Sequence, residues 1–169
     1  MALVQGVVSG LVTAVDGEGR VKVHCEGIGD NHETDWIRIA TMMGGDGKGS
    51  FFMPEVNDEV LLSFENGHPR VPIVVGFFWN GKDKPPGQDY RDRILKSKNG
   101  HCIRFLDSTV VNGDMGALVI QDAHGNRVTM SNGKVTVYSK GHLELHSEGN
   151  IIFSGPGWTR VVTPNSNPI

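Results

Sequence analysis

The chain has 169 residues, of which 38% are hydrophobic and 23 are glycine, and its formal net charge at pH 7 is −3. The hydrophobic content excludes a fully disordered chain, and the length suits one ordinary domain or a small domain with an appendage. No apolar run reaches the roughly 18 residues of a membrane-spanning helix. The first apolar stretch is not preceded by Lys or Arg, so we expect no secretory signal peptide.

Short stretches with alternating apolar residues or β-branched residues recur along the chain, whereas helical periodicity is nearly absent. Gly and Asn tolerate positive φ and fill the intervening turns, as at Asn66-Gly67 and Asn132-Gly133. The sequence therefore predicts an all-β protein. The strands predicted in this way span residues 21–25, 36–40, 59–64, 71–78, 118–122 and 134–138.

Residues 1–78 predict a small barrel. About five strands and a Gly-rich excursion at 44–49 favour a Greek-key barrel such as the OB-fold, with a small sandwich as the alternative. The excursion completes neither the Walker pattern nor the dinucleotide-binding pattern, so we interpret it as a flexible glycine loop. The segment has 5 basic and 11 acidic side chains, a balance that opposes nucleic-acid binding.

The barrel segment also contains aromatic residues in adjacent positions. They lack the interleaved Lys and Arg of a nucleic-acid surface, so we expect them to be core residues or subunit contacts. These aromatics are Phe51, Phe52, Phe77, Phe78 and Trp79.

Residues 79–100 contain two prolines and a dense run of charges, which predicts a linker. The two cysteines, Cys25 and Cys102, lie far apart and form no metal-ligand pair or disulfide framework. We expect both to be buried as small apolar residues.

From residue 131 the chain repeats every eight residues: SNGKVTVY, SKGHLELH and SEGNIIFS each have Ser first, Gly third and apolar residues fifth and seventh. The alternation gives each strand one apolar face, and the recurring glycine indicates a corner after each strand. The predicted core positions are Val135, Val137, Leu143, Leu145, Ile151 and Phe153, and the predicted corner glycines are Gly133, Gly141 and Gly149.

Eight residues are too few to complete a turn of a single-chain β-helix, which needs about twenty or more. Three chains together supply about 24, so the period favours an intertwined trimeric β-helix, or β-prism, with the apolar pairs on its axis. A plain antiparallel meander with eight-residue spacing is the alternative. Upstream, the apolar positions slip by one at Val128 and Met130, which we interpret as the transition into the regular prism.

We find no motif for catalysis, and we expect neither a cofactor nor a metal. His142, Glu144 and His146 fall on one side of a predicted strand, but about 13 Å separates the two histidines, too far to share one ion. They are predicted to be solvated residues of the outer face.

Several motifs, in order along nearly the whole chain, resemble those of the phage baseplate assembly protein V and VgrG family of contractile-tail spikes. The motifs of the first half are Gly17-x-Gly19-Arg20-Val21-Lys22-Val23, Trp36-Ile37-Arg38-Ile39, Gly47-x-Gly49, Pro54-Glu55-Val56-x-Asp58-Glu59-Val60-Leu61-Leu62-x-Phe64 and Asn66-Gly67-x-Pro69-x-Val71-Pro72-Ile73-Val74-Val75-Gly76. Those of the second half are Gly100-His101-x-Ile103-x-Phe105-x-Asp107, Leu118-x-Ile120-x-Asp122-x-x-Gly125-Asn126 and the octads.

The resemblance implies an OB-fold barrel at 1–78, a linker at 79–100, a trimeric β-helix shaft at 101–155 and a tip or tail segment at 156–169. It implies a non-enzymatic homotrimer in the baseplate of a virion tail or an equivalent contractile injection particle. The linker is too short for the lysozyme domain that some relatives insert there.

The partners that the resemblance implies are a separate baseplate hub protein at the barrel, a PAAR-type protein at the tip and, transiently, the outer membrane of the target cell. Some short spikes of the family bind iron at the apex through His-x-His, but the last 15 residues of this chain contain no histidine. The alternative function is a monomeric OB-fold module that binds an oligosaccharide or single-stranded nucleic acid, and a degenerate wall hydrolase ranks third.

Overall fold

The computed structural model describes residues 3–26 and 33–163, and the chain divides into two compact units, Met1–Pro85 and Pro86–Ile169. Within the described residues the regular structure is almost entirely β, with one short 3₁₀ turn at Glu65–Gly67. No helix in this part of the chain is long and apolar enough to cross a membrane. The prediction of an all-β protein is confirmed.

The first unit is built around a five-stranded antiparallel sheet that closes on itself. The strand order is β3-β2-β1-β6-β7, and a parallel bridge between Ile39 and Val74 joins the two outer strands. The Ala40 N–H donates to the Val74 carbonyl at 2.8 Å across this junction. The strands of the unit are β1 Val7–Val15, β2 Arg20–His24, β3 Ile37–Arg38, β4 Gly44–Gly45, β5 Lys48–Gly49, β6 Glu59–Phe64 and β7 Pro72–Phe77.

This closed sheet confirms the predicted small barrel, and its interior follows from the alternation along the strands. In β6 every second residue points inward, so Val60, Leu62 and Phe64 are buried while their neighbours are partly exposed. Burying each such side chain contributes about 1.5–3 kcal/mol. Among the described residues of this unit, the hydrophobic core comprises Val12, Val21, Val23, Cys25, Ile37, Val60, Leu62, Phe64 and Val74.

The two cysteines differ in environment. Cys25 belongs to the barrel core, as predicted, and burial raises the pKa of its thiol. Cys102 lies in the second unit and is only half-buried.

The glycine-rich excursion at 44–49 is a tight hairpin instead of the predicted flexible loop. Strands β4 and β5 pair at Gly44 with Gly49 and at Gly45 with Lys48. Gly49 has φ +145, and a Cβ there would lie 2.4 Å from the Met43 carbonyl oxygen. The glycines therefore permit a close backbone approach, which composition alone did not distinguish from flexibility.

The second unit contains an antiparallel meander followed by a separate hairpin. In the meander each strand pairs with the next along the chain, in the order β8-β9-β10-β11-β12. Its strands are β8 Asp92–Lys96, β9 Cys102–Leu106, β10 Ala117–Gln121, β11 Arg127–Ser131 and β12 Lys134–Tyr138, and the hairpin is formed by β13 Ile151–Gly155 and β14 Trp158–Val162.

Two predicted boundaries differ from these elements. Strand β8 lies inside the predicted linker 79–100, where it pairs with β9 along its whole length although its charges had suggested a loop. The predicted boundary between shaft and tip at residues 155 and 156 falls at the turn of hairpin β13–β14. Residues 164–169 of the predicted tip lie outside the described residues.

An ion pair precedes strand β8. Asp89 accepts hydrogen bonds from the Arg91 guanidinium, at 2.6 Å for Nη2, and from the Arg91 backbone N–H at 3.0 Å. Arg91 Nη1 also donates to the Thr109 hydroxyl at 2.8 Å, which ties this segment to the loop after β9. The hydrogen bonds from the Arg91 side chain and backbone lower the pKa of Asp89 to about 2.

The substitution Asp89→Asn is expected to reduce the acid sensitivity of the fold. Because the folded-state pKa of Asp89 lies below the ordinary value of about 3.9, its contribution is present above about pH 4 and is lost as the pH falls towards 2. Calorimetric midpoints between pH 5 and pH 2 should therefore fall less steeply for Asp89→Asn than for the unmodified chain. Equal slopes for Asp89→Asn and the unmodified chain would contradict the assignment.

Candidate assembly surface

The register of the meander places most of its large apolar side chains on one face. Residues paired across antiparallel strands share a face, and so do residues two apart along a strand. The face contains one charged residue, Arg93, at the edge of β8. The other members, which we call the apolar face, are Leu95, Ile103, Phe105, Leu118, Ile120, Val128, Met130, Val135 and Val137.

The apolar face is open in the single chain. Val135 is 65% exposed and Val137 is 55% exposed, and most of the other members are more than a third exposed. Among residues 86–163, all of which the structure describes, none is buried. The second unit thus has no hydrophobic core of its own.

The opposite face of the meander, which we call the polar face, is mixed: it contains most of the charged side chains of the strands together with Ile94, Leu106 and Val119. The Arg104 guanidinium forms an ion pair with Asp92, whose side chain is largely buried. The Arg127 guanidinium lies 4.4 Å from the centre of the Tyr138 ring, within cation–π range. The two faces therefore differ in their content of charged side chains.

Asn132 connects the turn between β11 and β12 to the loop before β10. Its side-chain oxygen accepts from the Met115 N–H at 3.0 Å, and its Nδ2 donates to Asp114 Oδ1 at 3.0 Å. The hydrogen bond from Asn132, together with that from the Gly116 N–H, lowers the pKa of Asp114. Asn132 and Gly133 both have positive φ, as a two-residue hairpin turn requires.

That hairpin explains the one-residue slip in the sequence pattern. Val128 pairs with Val137 and Met130 pairs with Val135, so all four side chains lie on the apolar face. In the single chain the slip has a local cause, because reversing the chain through two turn residues restores the phase; a transition into a prism beyond this hairpin stays a prediction.

The segment 139–150, which contains the second octad, forms no strand in the single chain. Leu143 and Leu145 are each 57% exposed and have no paired strand beside them. The backbone N–H of Lys140 donates to the Asn126 side-chain oxygen at 2.9 Å and so ties the start of the segment to the meander. Beyond this point every residue from 140 to 150 is exposed.

The predicted shaft residues thus fall into three places. Val135 and Val137 belong to the apolar face, Leu143 and Leu145 to the unpaired segment, and Ile151 and Phe153 to hairpin β13–β14. The single chain does not bring the three pairs together. Only one of the predicted corner glycines, Gly133, has a positive φ; at Gly141 and Gly149 a Cβ would meet nothing closer than 3.9 Å, so their role as corners stays a prediction.

No group of three or more His, Cys, Asp or Glu side chains able to hold a metal ion occurs in the part of the chain that the structure describes. His142, Glu144 and His146 are all exposed in the unpaired segment.

The barrel aromatics are not core residues. Phe51, Phe52, Phe77, Phe78 and Trp79 are all exposed, and Phe51 is 76% exposed. The remaining part of the prediction, a contact with another chain, is consistent with this exposure. Phe64, by contrast, is buried. It occupies an inward position in the alternation of β6, whereas Phe51 follows a hairpin outside the barrel sheet.

Comparison with known proteins identifies the barrel. Residues 4–79 match the family described as type VI secretion system/phage-baseplate injector OB domain. The type VI secretion system spike protein VgrG5 of Pseudomonas aeruginosa is 29% identical over 133 residues, covering 72% of this chain and 16% of VgrG5. Because 72% of the chain exceeds what residues 4–79 contribute, this similarity extends into the second unit.

Two further relatives match shorter stretches. The spike protein VgrG4b of P. aeruginosa is 34% identical over 94 residues, covering 49% of this chain and 12% of the relative. The actin cross-linking toxin VgrG1 of Vibrio cholerae is 31% identical over 75 residues, covering 42% of this chain and 7% of the relative. The chain thus spans less than a fifth of the length of these relatives. Its first unit belongs to the injector OB-domain family of type VI secretion systems and phage baseplates, and the chain is a relative of the VgrG spike proteins.

Proposed function

We propose that this protein is the central spike of a contractile injection machine, a phage tail or a related particle, and that it acts as a homotrimer. In this proposal three barrels attach to a separate baseplate hub protein, and three second units form one rigid β-helical shaft. Contraction of the sheath drives the shaft through the outer membrane of the target cell. The observation that carries the proposal is the exposed apolar face of a unit without a core.

The apolar face must be covered for the second unit to be stable. A sheet with one apolar face is stable when that face packs against another layer. Nine side chains lie on this face, and covering the exposed half of each contributes roughly 1 kcal/mol. Further copies of the same chain present the same face, so association around an axis covers all copies at once.

The unpaired segment 139–150 favours three copies over two. Its backbone has no strand partner within the chain. If the octad is the repeat of a β-helix, each chain contributes eight residues to one turn of that helix. Three chains supply the roughly 24 residues that one turn of a β-helix needs. Pairing between chains would satisfy the backbone groups and turn Leu143 and Leu145 towards the shared axis.

The role we propose is mechanical and not enzymatic. Most of the relatives described above are named as spike proteins, and one is named as an actin cross-linking toxin. The match to that toxin covers 7% of its length and 42% of this chain, a share that the barrel alone can supply. We further propose a PAAR-type protein as the cap of the shaft, a partner that the resemblance to contractile-tail spikes implies.

The mass of the full chain in solution tests the trimer most directly. Three chains of 18.4 kDa give about 55 kDa by light scattering after size exclusion. A single species of 18.4 kDa across the working concentration range would contradict the proposal. A monomer that binds an oligosaccharide or single-stranded DNA would instead support the alternative of an OB-fold binding module.

The substitution Val128→Asp is expected to abolish the trimer, because it places three carboxylates against the covered apolar face. Leaving charges unpaired in such a layer costs on the order of several kcal/mol. Thr129→Asp is the matched control, since Thr129 is the next residue of β11, is half-buried like Val128 and lies on the polar face. The proposal predicts a monomer or an aggregate for Val128→Asp and a trimer of unchanged mass for Thr129→Asp. Equal masses for the two variants would show that the apolar face is not the interface.

The substitution Leu145→Asp tests the intertwined part of the shaft separately. Three carboxylates on the shared axis should lower the thermal midpoint of the trimer and its resistance to detergent. His146→Asp is the control, because residue 146 falls on the outer phase of the octad. If Val128→Asp dissociates the trimer while Leu145→Asp and His146→Asp behave alike, the meander associates through its face but segment 139–150 does not form the predicted shaft.

A further inference from the structure

The unpaired segment contains a stretch that lies between two turns of the same kind. At the first turn the Gly141 N–H donates to the Ser139 hydroxyl oxygen at 3.2 Å. At the second turn the Gly149 N–H donates to the Ser147 hydroxyl oxygen at 3.1 Å. The two turns are eight residues apart, which is the period of the octads. Local structure thus repeats on either side of residues 142–146, as two successive corners of a shaft require.

Two strands of the same unit have an open edge. Among the described residues, β12 is paired only with β11, and β13 is paired only with β14. The remaining edge of each strand presents backbone N–H and C=O groups that can pair with a further strand. Strand β12 lies in the first octad and β13 begins in the third. The second octad, which contains residues 142–146, lies between them in the sequence and has no strand partner within the described residues.

The octad period defines which residues meet when three chains form the proposed shaft. Each octad advances its chain by one side of the three-sided prism, and the threefold rotation superposes one chain on the next. A residue of one chain therefore lies beside the residue eight positions earlier in the neighbouring chain. The two strands run in the same direction, about 4.8 Å apart. Residues 142–146 thus align with β12 of one neighbour and with β13 of the other.

This register brings apolar residues against apolar residues. Val135 meets Leu143 of the neighbouring chain, and Val137 meets Leu145. All four side chains are more than half exposed in the single chain. The alignment would therefore cover, on the inner side of the shaft, apolar surface that the single chain leaves open to water.

A pair of opposite charges meets at the corners in the same register. Lys140 and Glu148 each follow the serine of their octad, so Glu148 of one chain lies beside Lys140 of the neighbouring chain. Both side chains are exposed and have no ion pair among the described residues, whereas three arginines of the same unit each pair with an aspartate. An exposed ion pair adds little stability. A register shifted by two residues, however, would place Lys140 beside His146 or Asn150, so the pair distinguishes the registers.

We propose that residues 142–146 of one chain insert as a strand between β12 of a second chain and β13 of the third, in a register that the ion pair between Lys140 and Glu148 fixes. The inference rests on the proposed trimer and goes beyond it, because it assigns the partner of each strand and the residues that meet. Each side of the shaft then has one continuous sheet with strands from all three chains. No chain can be withdrawn without breaking all three sheets.

Disulfide cross-linking between introduced cysteines tests the register. Thr136, in β12, and Glu144 both lie on the outer side and meet across neighbouring chains. Aligned residues of adjacent strands lie about 5 Å apart at Cα, within disulfide range, whereas residues offset by two lie about 8 Å apart and outside it. On mild oxidation, Thr136→Cys combined with Glu144→Cys should give a covalent trimer of three 18.4 kDa chains on a non-reducing denaturing gel. Thr136→Cys combined with His142→Cys or with His146→Cys is the matched control and should run as a single chain.

The single variants Thr136→Cys and Glu144→Cys control for linkage through the native Cys25 and Cys102, and they should stay unlinked. If the Thr136→Cys/Glu144→Cys protein is a trimer by light scattering but does not cross-link between chains, or if the offset pairs cross-link equally well, this inference is wrong and the proposed trimer stands. If the unmodified chain is a monomer, both fail.

Charge reversal is a second measurement that does not depend on the cysteines. Lys140→Glu and Glu148→Lys should each lower the thermal midpoint of the trimer by a few degrees at low salt, because each places like charges together at three corners. The combination of the two should restore most of the loss. Lys140→Glu combined with Glu144→Lys has the same net charge but no such contact, and it should restore none. Equal recovery in the two combinations, or no recovery in the first, would overturn the proposed register.

Discussion

The packing of one apolar sheet face is the constraint on which the second unit depends. Its five strands satisfy one another's backbone hydrogen bonds, but the apolar face from Leu95 to Val137 has no layer above it within the chain. Hydrogen bonds between exposed strands contribute little net free energy, because water competes for the same groups. In the proposed trimer, covering the face supplies the free energy that holds this unit together, and folding of the unit is coupled to association.

The two units of the chain differ in where their apolar side chains lie. The barrel closes a sheet of five short strands around a core of nine buried side chains, so its stability is internal. The second unit has no buried residue within 86–163 and leaves its apolar face exposed. In the proposed spike, the barrel would be a self-contained attachment domain, and the shaft would become rigid only in the assembled state.

The sequence predicted those features that depend on local alternation and turn chemistry. Strands β6 and β12 were predicted to the residue, because each has a period-two pattern and adjoins an Asn-Gly turn. Strand β8 was missed because it is recognised only by its pairing with β9, which no local pattern of its charged sequence displays. The octad period is visible in the sequence, yet which chain each octad pairs with is a long-range property that the period alone does not determine.

The aromatic residues show why sequence patterns alone do not distinguish buried core side chains from exposed ones. Phe64 and Phe51 have the same side chain, but Phe64 is 7% exposed in the barrel core and Phe51 stands outside it. Both count as hydrophobic residues in the sequence. They differ in where the fold places them: Phe64 lies on the inward side of β6, whereas Phe51 follows the hairpin β4–β5. An exposed aromatic side chain contributes little burial free energy to the chain that carries it. Its apolar surface gains that free energy only when another surface covers it.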